Sequence, residues 1–307
     1  FLILWLVKWK KAVLIPLITI SLGLNHIYHA GPALRIKRDL HEKKGDDLKI
    51  LSYNVRAFNI YDWENDPNTD EGIFNFIRSE HPDVICLQEF YYNRGSSQPA
   101  STPRFFREIP YQHIQYTSRN SSSGFGIATF SKYPIVKTGT IRFDKSNNLA
   151  IYTDILFHND TIRIFNNHLQ SVNFLQNNYR FIEKIPVVSS DRNIEEIKDI
   201  SSKLKSAFIK RAKQTDKIKA RINQSPYPVI VCGDFNDTPV SYAYHKMQKR
   251  LDDAFLKAGT GRGNTHLGKI PLRIDYIHYS KEFEAVEFEK IKADLSDHYP
   301  IISVLRF

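Results

Sequence analysis

Ten short apolar, β-rich stretches lie irregularly between residues 48 and 307, and they constrain the fold of this chain most strongly. Leu48–Val55 is typical, because it alternates apolar and polar residues and follows the turn-forming Gly45-Asp46-Asp47. The same pattern predicts strands over Leu48–Val55, Asp83–Gln88, Gly124–Phe130, Ile135–Phe143, Ala150–Phe157, Thr161–Asn167, Pro228–Cys232, Arg273–Tyr279, Phe283–Ile291 and Ile301–Phe307.

Helical spacing of apolar residues appears in a smaller number of segments between these strands. Thr69–Glu80 places Ile73, Phe76 and Ile77 on one stripe, and His81-Pro82 ends it. Further helices are predicted over Pro103–Ile109, Val172–Phe181, Asn193–Arg221 and Ser241–Lys249. Strands and helices in this mixed order predict one α+β domain with two packed sheets and helices outside.

The composition excludes several other classes of protein. Of the 307 residues, 42% are hydrophobic and 25% charged, which excludes a disordered, collagenous or coiled-coil chain. Two cysteines exclude a disulfide scaffold, so a hydrophobic core must hold the fold. Cys86 and Cys232 lie in apolar strands, where packing as small hydrophobic side chains is the favoured role. A disulfide between them needs suitable geometry, which the sequence leaves open.

The first 29 residues have the pattern of a membrane anchor. Phe1–Val7 is typical of the end of one span, a basic turn with Lys8, Lys10 and Lys11 follows, and Ala12–Tyr28 carries no charge. Those residues would span roughly 26 Å as a helix, against a hydrocarbon core of ~30 Å. The positive-inside rule places the basic turn in the cytoplasm and the rest of the chain outside. A signal peptide and a core helix are the alternatives.

The sequence therefore predicts a membrane-anchoring region in residues 1–29, a charged linker in 30–47 and one folded domain in 48–307. The net charge is +10, of which residues 1–44 contribute +6 through eight basic and two acidic side chains. More than half of the excess thus lies outside the predicted domain. A basic balance suggests phosphate-bearing partners, but here it is weak evidence for nucleic-acid binding.

Polar side chains cluster where the predicted strands end. Any single Asn, Asp or Glu there is usually a turn former or a helix cap. Asp275 is harder to dismiss, because a carboxylate between Ile274 and Tyr276 needs a cation, a metal or a hydrogen-bond donor. Polar clusters at six strand ends are hard to explain one by one. Strands that converge would bring all six to one cleft. The candidate side chains are Asn54, Glu89, His168, Asp234, Asn236, Asp275, Asp297 and His298.

The motifs that carry these residues resemble the ordered motifs of the endonuclease/exonuclease/phosphatase superfamily. All six stand in the superfamily's order across about residues 48–307. They are Ser52-Tyr53-Asn54-Val55, Leu87-Gln88-Glu89, Asn167-His168-Leu169-Gln170-Ser171, Gly233-Asp234-Phe235-Asn236, Arg273-Ile274-Asp275-Tyr276 and Ser296-Asp297-His298-Tyr299-Pro300. The resemblance implies a four-layer αββα sandwich that hydrolyses phosphate esters with Mg²⁺ or Mn²⁺.

The resemblance also implies a role for each candidate. Glu89 would be the main metal carboxylate, with Asn54 and Asp297 as direct or water-mediated ligands. Asp234 and Asn236 would orient the attacking water or the phosphate and assist the leaving oxygen. His298, oriented by Asp275, and His168 would contact the phosphoryl oxygens. The carboxylate that would orient His168 cannot be identified between Phe90 and Gly124.

Elementary chemistry is consistent with this assignment. A phosphodiester repels hydroxide, and its transition state spreads charge over the equatorial oxygens. Hard carboxylate oxygens such as those of Glu89 and Asp297 suit Mg²⁺, and imidazoles can donate to the non-bridging oxygens. No Cys/His cluster has zinc spacing and no GxxxxGK[ST] loop is present, so zinc hydrolases and nucleotide-driven enzymes are disfavoured.

The substrate is less constrained than the chemistry, because fold and site do not name it. The sequence favours a nuclease-like phosphodiesterase acting on nucleic acid. The alternatives are a phospholipid, sphingomyelin or inositol-phosphate phosphoesterase and, least favoured, an inactive binding domain. The predicted partners are a phosphate ester, nucleic acid ahead of lipid headgroups, and the membrane through residues 1–29. The sequence leaves the oligomeric state open.

Overall fold

The computed structural model describes residues 14–33, 35, 45–61, 68–93, 109–120, 123–172, 174, 178, 191–268 and 270–307. The helices are α1 (Leu14–Ala30), α2 (Thr69–Ser79), α3 (Asp191–Asn223), α4 (Tyr242–Gln248) and α5 (Ala254–Ala258). The strands are β1 (Asp47–Asn54), β2 (Val84–Asn93), β3 (Tyr111–Arg119), β4 (Ser123–Ser131), β5 (Ile135–Arg142), β6 (Leu149–Phe157), β7 (Asp160–His168), β8 (Val229–Asp234), β9 (Asp252–Asp253), β10 (Asp275–Tyr279), β11 (Glu284–Lys290) and β12 (Ile301–Arg306).

These strands form two mixed sheets, which confirms the predicted α+β class with two packed sheets. Sheet 1 has the order β11-β12-β1-β2-β4-β3, and sheet 2 has the order β5-β6-β7-β8-β10-β9. Each sheet contains one parallel pair, β1 with β2 and β7 with β8. Parallel neighbours end at the same edge of a sheet, so the carboxyl ends of all four strands can meet at one place.

Apolar side chains fill three layers of core. Ile50 from sheet 1 and Ile230 from sheet 2 belong to the layer between the sheets. Ile73 of α2 packs on the outer face of sheet 1, while Ile218 of α3 and Met247 of α4 pack on the outer face of sheet 2. Burying each such side chain contributes about 1.5–3 kcal/mol. The helices therefore cover both outer faces, and the layers follow the order α/β/β/α.

The structure differs from the predicted elements at several points. Strand β3 was missed, because it is a partly exposed edge strand whose sequence, Tyr111–Arg119, is mostly polar. Strand β2 continues to Asn93, beyond the predicted end at Gln88. The predicted helix Pro103–Ile109 lies outside the described residues except for Ile109, which is not helical. Most of the predicted helix Val172–Phe181 also lies outside them.

Both cysteines are free and buried in the core between the sheets. Cys86 lies in β2 and Cys232 in β8, one in each sheet. Burial, followed by hydrogen bonding to Cys86, raises the pKa of the Cys232 thiol well above its ordinary value. The Cys232 thiol therefore stays protonated, and both cysteines contribute as small core side chains.

Helix α1 covers most of the predicted span Ala12–Tyr28, and residues 1–13 lie outside the described part of the chain. No helix among the described residues is long and apolar enough to cross a membrane. The end of α1 contacts the folded domain, where Arg273 donates a 2.9 Å hydrogen bond to the carbonyl of His29. Nearby, Ala33 and Gly261 exchange backbone hydrogen bonds of 2.8 and 2.9 Å.

Candidate active site

The candidate residues meet at the carboxyl ends of the two parallel strand pairs. His168, at the end of β7, is the register partner of Asp234 at the end of β8. Asp234 is also the register partner of Asp275, the first residue of β10. Three of the predicted residues therefore lie side by side across the edge of sheet 2. Asn54 ends β1 in sheet 1, directly beside Gln88 of β2.

Asp234 lies at the centre of the site, and its Oδ2 atom faces four side-chain nitrogen atoms. Asn54 and Asn236 each donate an Nδ2 hydrogen bond of 3.1 Å to it. Nε2 of His168 lies 3.7 Å away and Nε2 of His298 lies 3.9 Å away. Burial, reinforced by the charge of Asp275 and opposed by the two imidazoles, raises the pKa of Asp234 to about 6. A carboxylate with such a pKa can accept a proton near neutral pH.

The turn after β8 has a local structure that only certain residues allow. Gly233 has φ +130°, and a Cβ there would lie 2.0 Å from the carbonyl oxygen of Asn167. Asn236 has φ +50°, which asparagine tolerates better than most residues. Its backbone N–H donates a 2.7 Å hydrogen bond to Oδ1 of Asp234. The Gly-Asp-Phe-Asn motif thus holds the Asp234 carboxylate in one orientation.

His298 and Asp275 form a buried pair in which Nδ1 lies 2.9 Å from Oδ2. Burial by itself lowers the pKa of His298, but the charges of Asp275 and Asp234 outweigh burial and raise it to about 10. His298 is therefore an imidazolium at neutral pH, with Nε2 directed toward Asp234. Thr265 supports this pair, because its Oγ1 accepts hydrogen bonds from the backbone of Ile274 and Asp275 at 3.1 Å.

Glu89 lies at a β-bulge in β2. The register with β4 shifts between Leu87 and Phe90, and Glu89 takes φ +52°, which is uncommon for a non-glycine residue. The bulge aims its carboxylate into the site, where Oε1 lies 3.3 Å from Nδ2 of Asn54 and 3.7 Å from Nε2 of His168. Such strain is found at functional sites, where the surrounding fold holds it.

Asp297 lies at the border of the site and is partly exposed. Its Oδ2 atom lies 3.3 Å from Nε of Arg56. Arg56 belongs to a short turn, Arg56–Asn59, in which all four residues have positive φ. The same residue donates its backbone N–H to Oδ1 of Asn54 at 3.1 Å. Arg56 therefore links Asn54 to Asp297.

The sequence of this chain matches the sequence model of the endonuclease/exonuclease/phosphatase family over residues 51–298. The chain belongs to this family. Its members are hydrolases that act on phosphate esters, which supports the predicted phosphoesterase activity. No curated protein matches the chain.

Solved structures of the family share the fold at low sequence identity. A family protein from Bacteroides thetaiotaomicron is similar with a TM-score of 0.62 and 16% identity, over 84% of this chain and 94% of that one. The human nocturnin catalytic domain with bound sulfate is similar with a TM-score of 0.59 and 18% identity, over 85% and 93% of the two chains. Humanized D. rerio TDP2 is similar with a TM-score of 0.57 and 16% identity, over 85% and 100%.

Two features of the site fit the divalent ion that the family generally uses. Nε2 of His168 is buried and makes no hydrogen bond to a described residue, although it faces both Glu89 and Asp234. Carboxylates also outnumber cations, so the site carries an excess of negative charge. The carboxylates are those of Glu89, Asp234, Asp275 and Asp297, and the cations that contact them are His298 and Arg56.

The described residues also contain a tight group of three possible ligands that differs from the predicted set. Atoms of Asp234, Asp275 and His298 all lie within 4.8 Å of one another. In this group the imidazolium of His298 lies against both carboxylates and already neutralises part of their charge. Glu89 has only the Asn54 amide and the neighbouring His168 ring as partners of its carboxylate in the described residues. Glu89 therefore fits a cation better.

Several residues that support the site were missed by sequence reasoning. Arg56 and Thr265 belong to no recognisable pattern, since their roles depend on segments far away in the chain. Gln88 was recognised only as part of the motif Leu87-Gln88-Glu89, and Asn166 directly precedes the motif that begins at Asn167. Nε2 of Gln88 donates a 2.7 Å hydrogen bond to Oδ1 of Asn166, which joins the two sheets inside the core. No described carboxylate is hydrogen-bonded to His168; Glu89 and Asp234 are at 3.7 Å.

Proposed function

We propose that this chain is a Mg²⁺- or Mn²⁺-dependent phosphodiesterase that hydrolyses its substrate by attack of water, with nucleic acid as the favoured substrate. The observation that carries the proposal is the set of groups around Asp234. A buried carboxylate with a raised pKa lies between two imidazoles and two amide donors contributed by both sheets. Such a site places a proton acceptor, the Asp234 carboxylate, next to groups that can donate hydrogen bonds to a phosphate.

The metal would be held by Glu89, with Asn54 and Asp297 as further oxygen ligands. The bound ion would stabilise negative charge on the phosphoryl oxygens and lower the pKa of a coordinated water. Glu89 supports this assignment because the strained bulge directs its carboxylate toward Asn54 and His168. Hard oxygen ligands of this kind suit Mg²⁺.

Proton transfer and charge stabilisation would come from the remaining residues. Asp234, fixed by the two hydrogen bonds from Asn236, would orient the attacking water and accept its proton. His298, kept protonated by Asp275, would donate from Nε2 to a non-bridging phosphoryl oxygen. His168 would contact the phosphoryl group from the side of Glu89. Charged donors already in place stabilise a transition state without reorganising.

Hydrolysis by the purified full chain in mild detergent tests this function. The substrates are single-stranded DNA, plasmid DNA, RNA, sphingomyelin, phosphoinositides and the activated diester bis(4-nitrophenyl) phosphate, each with Mg²⁺, with Mn²⁺ or with a chelator. We expect metal-dependent cleavage of the activated diester and of nucleic acid, abolished by Asp234→Asn with unchanged circular dichroism. Absence of metal-dependent hydrolysis of every substrate would favour a binding domain.

We also propose that the N-terminal region anchors the chain in a membrane with the catalytic domain outside the cytoplasm. Large apolar side chains of α1 such as Leu14, Ile15 and Leu22 are exposed to solvent, and a contiguous apolar surface of this kind needs a covering. A reporter fused after residue 45 should be active only outside the cytoplasm. A cytoplasmic reporter signal would contradict this topology.

A further inference from the structure

A groove of about 370 Å³ opens beside the proposed catalytic centre. Glu89 and His168 of the site line it, together with Phe125, Lys145, Lys210 and several uncharged polar residues. Its volume lies toward the lower end of the range of about 300–1,000 Å³ typical of small-ligand sites. The groove is therefore large enough for a group attached to the phosphate that reacts at Glu89 and His168.

The two lysines of this groove carry positive charges that no described acidic side chain neutralises. Both are exposed. Asp144, the residue before Lys145, instead pairs with Lys217 at 2.8 Å. Asp237 pairs with Arg211, the residue after Lys210, at 3.0 Å. Asp144 and Asp237 are thus paired elsewhere, and the groove presents two lysines that form no ion pair with a described acidic side chain.

The wall that carries Lys145 is fixed by hydrogen bonds. Ser146 donates to Oε1 of Gln170 at 3.0 Å, and Oε1 of Gln214 on α3 accepts from the backbone of Gln170 at 2.8 Å. Asn148 donates to the carbonyl of Leu169 at 3.0 Å, and the same carbonyl accepts from Asn236 at 3.0 Å. The wall is therefore joined to the catalytic turn.

We propose that Lys145 and Lys210 bind a second phosphate of the substrate, the one next to the phosphate that is cleaved, and that Phe125 stacks on the adjoining base. The inference rests on the proposed phosphodiesterase function and identifies the substrate as a nucleic-acid strand. A strand supplies a phosphate and an aromatic base at neighbouring positions, and base–aromatic stacking is worth about 1–3 kcal/mol per base. The cationic choline group of sphingomyelin would be repelled by both lysines.

Binding is tested apart from catalysis, with the full chain and a chelator present. The probe is a fluorescent single-stranded oligothymidylate, followed by anisotropy. We expect K145Q/K210Q to weaken binding at least tenfold and to reduce the slope of log K against log salt by about 0.7, because one phosphate contact contributes about 0.7 on single strands. Phe125→Leu should weaken binding at low and high salt alike.

The control is Lys205→Gln, which removes one charge from an exposed position on α3 outside the groove. It should weaken binding less than twofold. Equal affinity of the wild type and the double variant would overturn the inference. So would a double variant that still cleaves the oligonucleotide as fast as the wild type, relative to bis(4-nitrophenyl) phosphate.

Hydrolysis assays with different substrates distinguish a failure of this inference from a failure of the proposed function. With Mg²⁺, faster turnover of sphingomyelin vesicles or of an inositol polyphosphate than of the oligonucleotide would overturn the assignment to nucleic acid and leave a phosphoesterase. Loss of oligonucleotide binding in K145Q/K210Q, in a chain that hydrolyses no phosphate ester, would support the groove and overturn the catalytic function instead.

Discussion

Asn54, at the end of a strand in sheet 1, donates a 3.1 Å hydrogen bond to Asp234, at the end of a strand in sheet 2. The same amide nitrogen lies 3.3 Å from Oε1 of Glu89. One amide therefore connects the proposed metal carboxylate with the proposed proton acceptor. Packing between the sheets sets the distance between these two groups, so catalytic geometry depends on how the sheets pack.

The first prediction concerns metal dependence. Glu89→Gln keeps the size of the side chain but removes the charge that the proposed ion needs. We expect the Mg²⁺ concentration for half-maximal activity to rise at least tenfold. Asn54→Ala should raise it by about 10–100-fold, because it removes a proposed oxygen ligand whose amide also hydrogen-bonds Glu89. Metal titration of the initial rate measures both. Asp160→Asn, an exposed substitution at the opposite end of β7, is the control; equal titration curves for all variants would contradict the assignment.

The second prediction concerns pH. Activity should rise as Asp234 loses its proton near pH 6 and fall as His298 loses its proton near pH 10. Asp275→Asn removes the negative charge that raises both pKa values, so both limbs of the profile should move to lower pH. We expect kcat at pH 8 to fall by about 10²–10³, the usual cost of losing one charge-stabilising donor. The measurement is kcat against pH in the two proteins.

That profile also distinguishes a catalytic pair from a merely structural one. If Asp275 only stabilised the fold, Asp275→Asn would lower thermal stability and leave the acidic and basic limbs of the kcat–pH profile at the same pH. Glu is not a useful replacement, because the pair is buried and a longer side chain in a packed interior is itself destabilising. Unchanged limbs at full folding would refute the roles given to Asp275 and His298.

The third prediction concerns stability. Asp253 accepts a 2.6 Å hydrogen bond from Arg273, and both side chains are buried. Burial by itself raises the pKa of Asp253, but electrostatic interactions with Arg273 and His278 lower it by a larger amount. The folded-state pKa of Asp253 therefore lies below the ordinary value. The pair's contribution is complete above the unfolded-state pKa of about 3.9 and is lost as pH falls through the folded-state pKa.

Asp253→Asn leaves Arg273 buried without a counter-charge, and we expect a loss of about 3–5 kcal/mol in the free energy of unfolding at pH 7. The difference from the wild type should shrink below pH 4. The neighbouring Asp252→Asn is a matched control, because Asp252 makes a half-exposed pair with Lys257 at 3.1 Å, worth about 0–1 kcal/mol. Urea unfolding at several pH values measures both variants, and equal losses would contradict this account.

Local patterns predicted most of the central strands and the motif residues that meet in the site. The motif Gly233-Asp234-Phe235-Asn236 is an example, since the glycine, the carboxylate and the left-handed asparagine follow one another in the chain. Arg56 could not be predicted in this way, because its partner Asp297 lies at the other end of the domain. Strand β3 was missed because its polar sequence reflects an edge position that only the assembled sheet defines.

The final prediction concerns Gly233, where the backbone of the catalytic turn passes closest to β7. A Cβ at this position would lie 2.0 Å from the carbonyl oxygen of Asn167. The backbone of Gly233 also has φ +130°, a conformation that residues with a side chain rarely adopt. We expect Gly233→Ala to cost about 2–6 kcal/mol, the sum of backbone strain and overpacking. Gly261→Ala is the matched control, because φ is +65° there but no atom lies within 4 Å of the added Cβ, so about 1–2 kcal/mol is expected. Chemical unfolding measures the free energy of unfolding of both variants. A smaller loss of stability in Gly233→Ala than in Gly261→Ala would show that β7 and β8 can move apart without disturbing the fold.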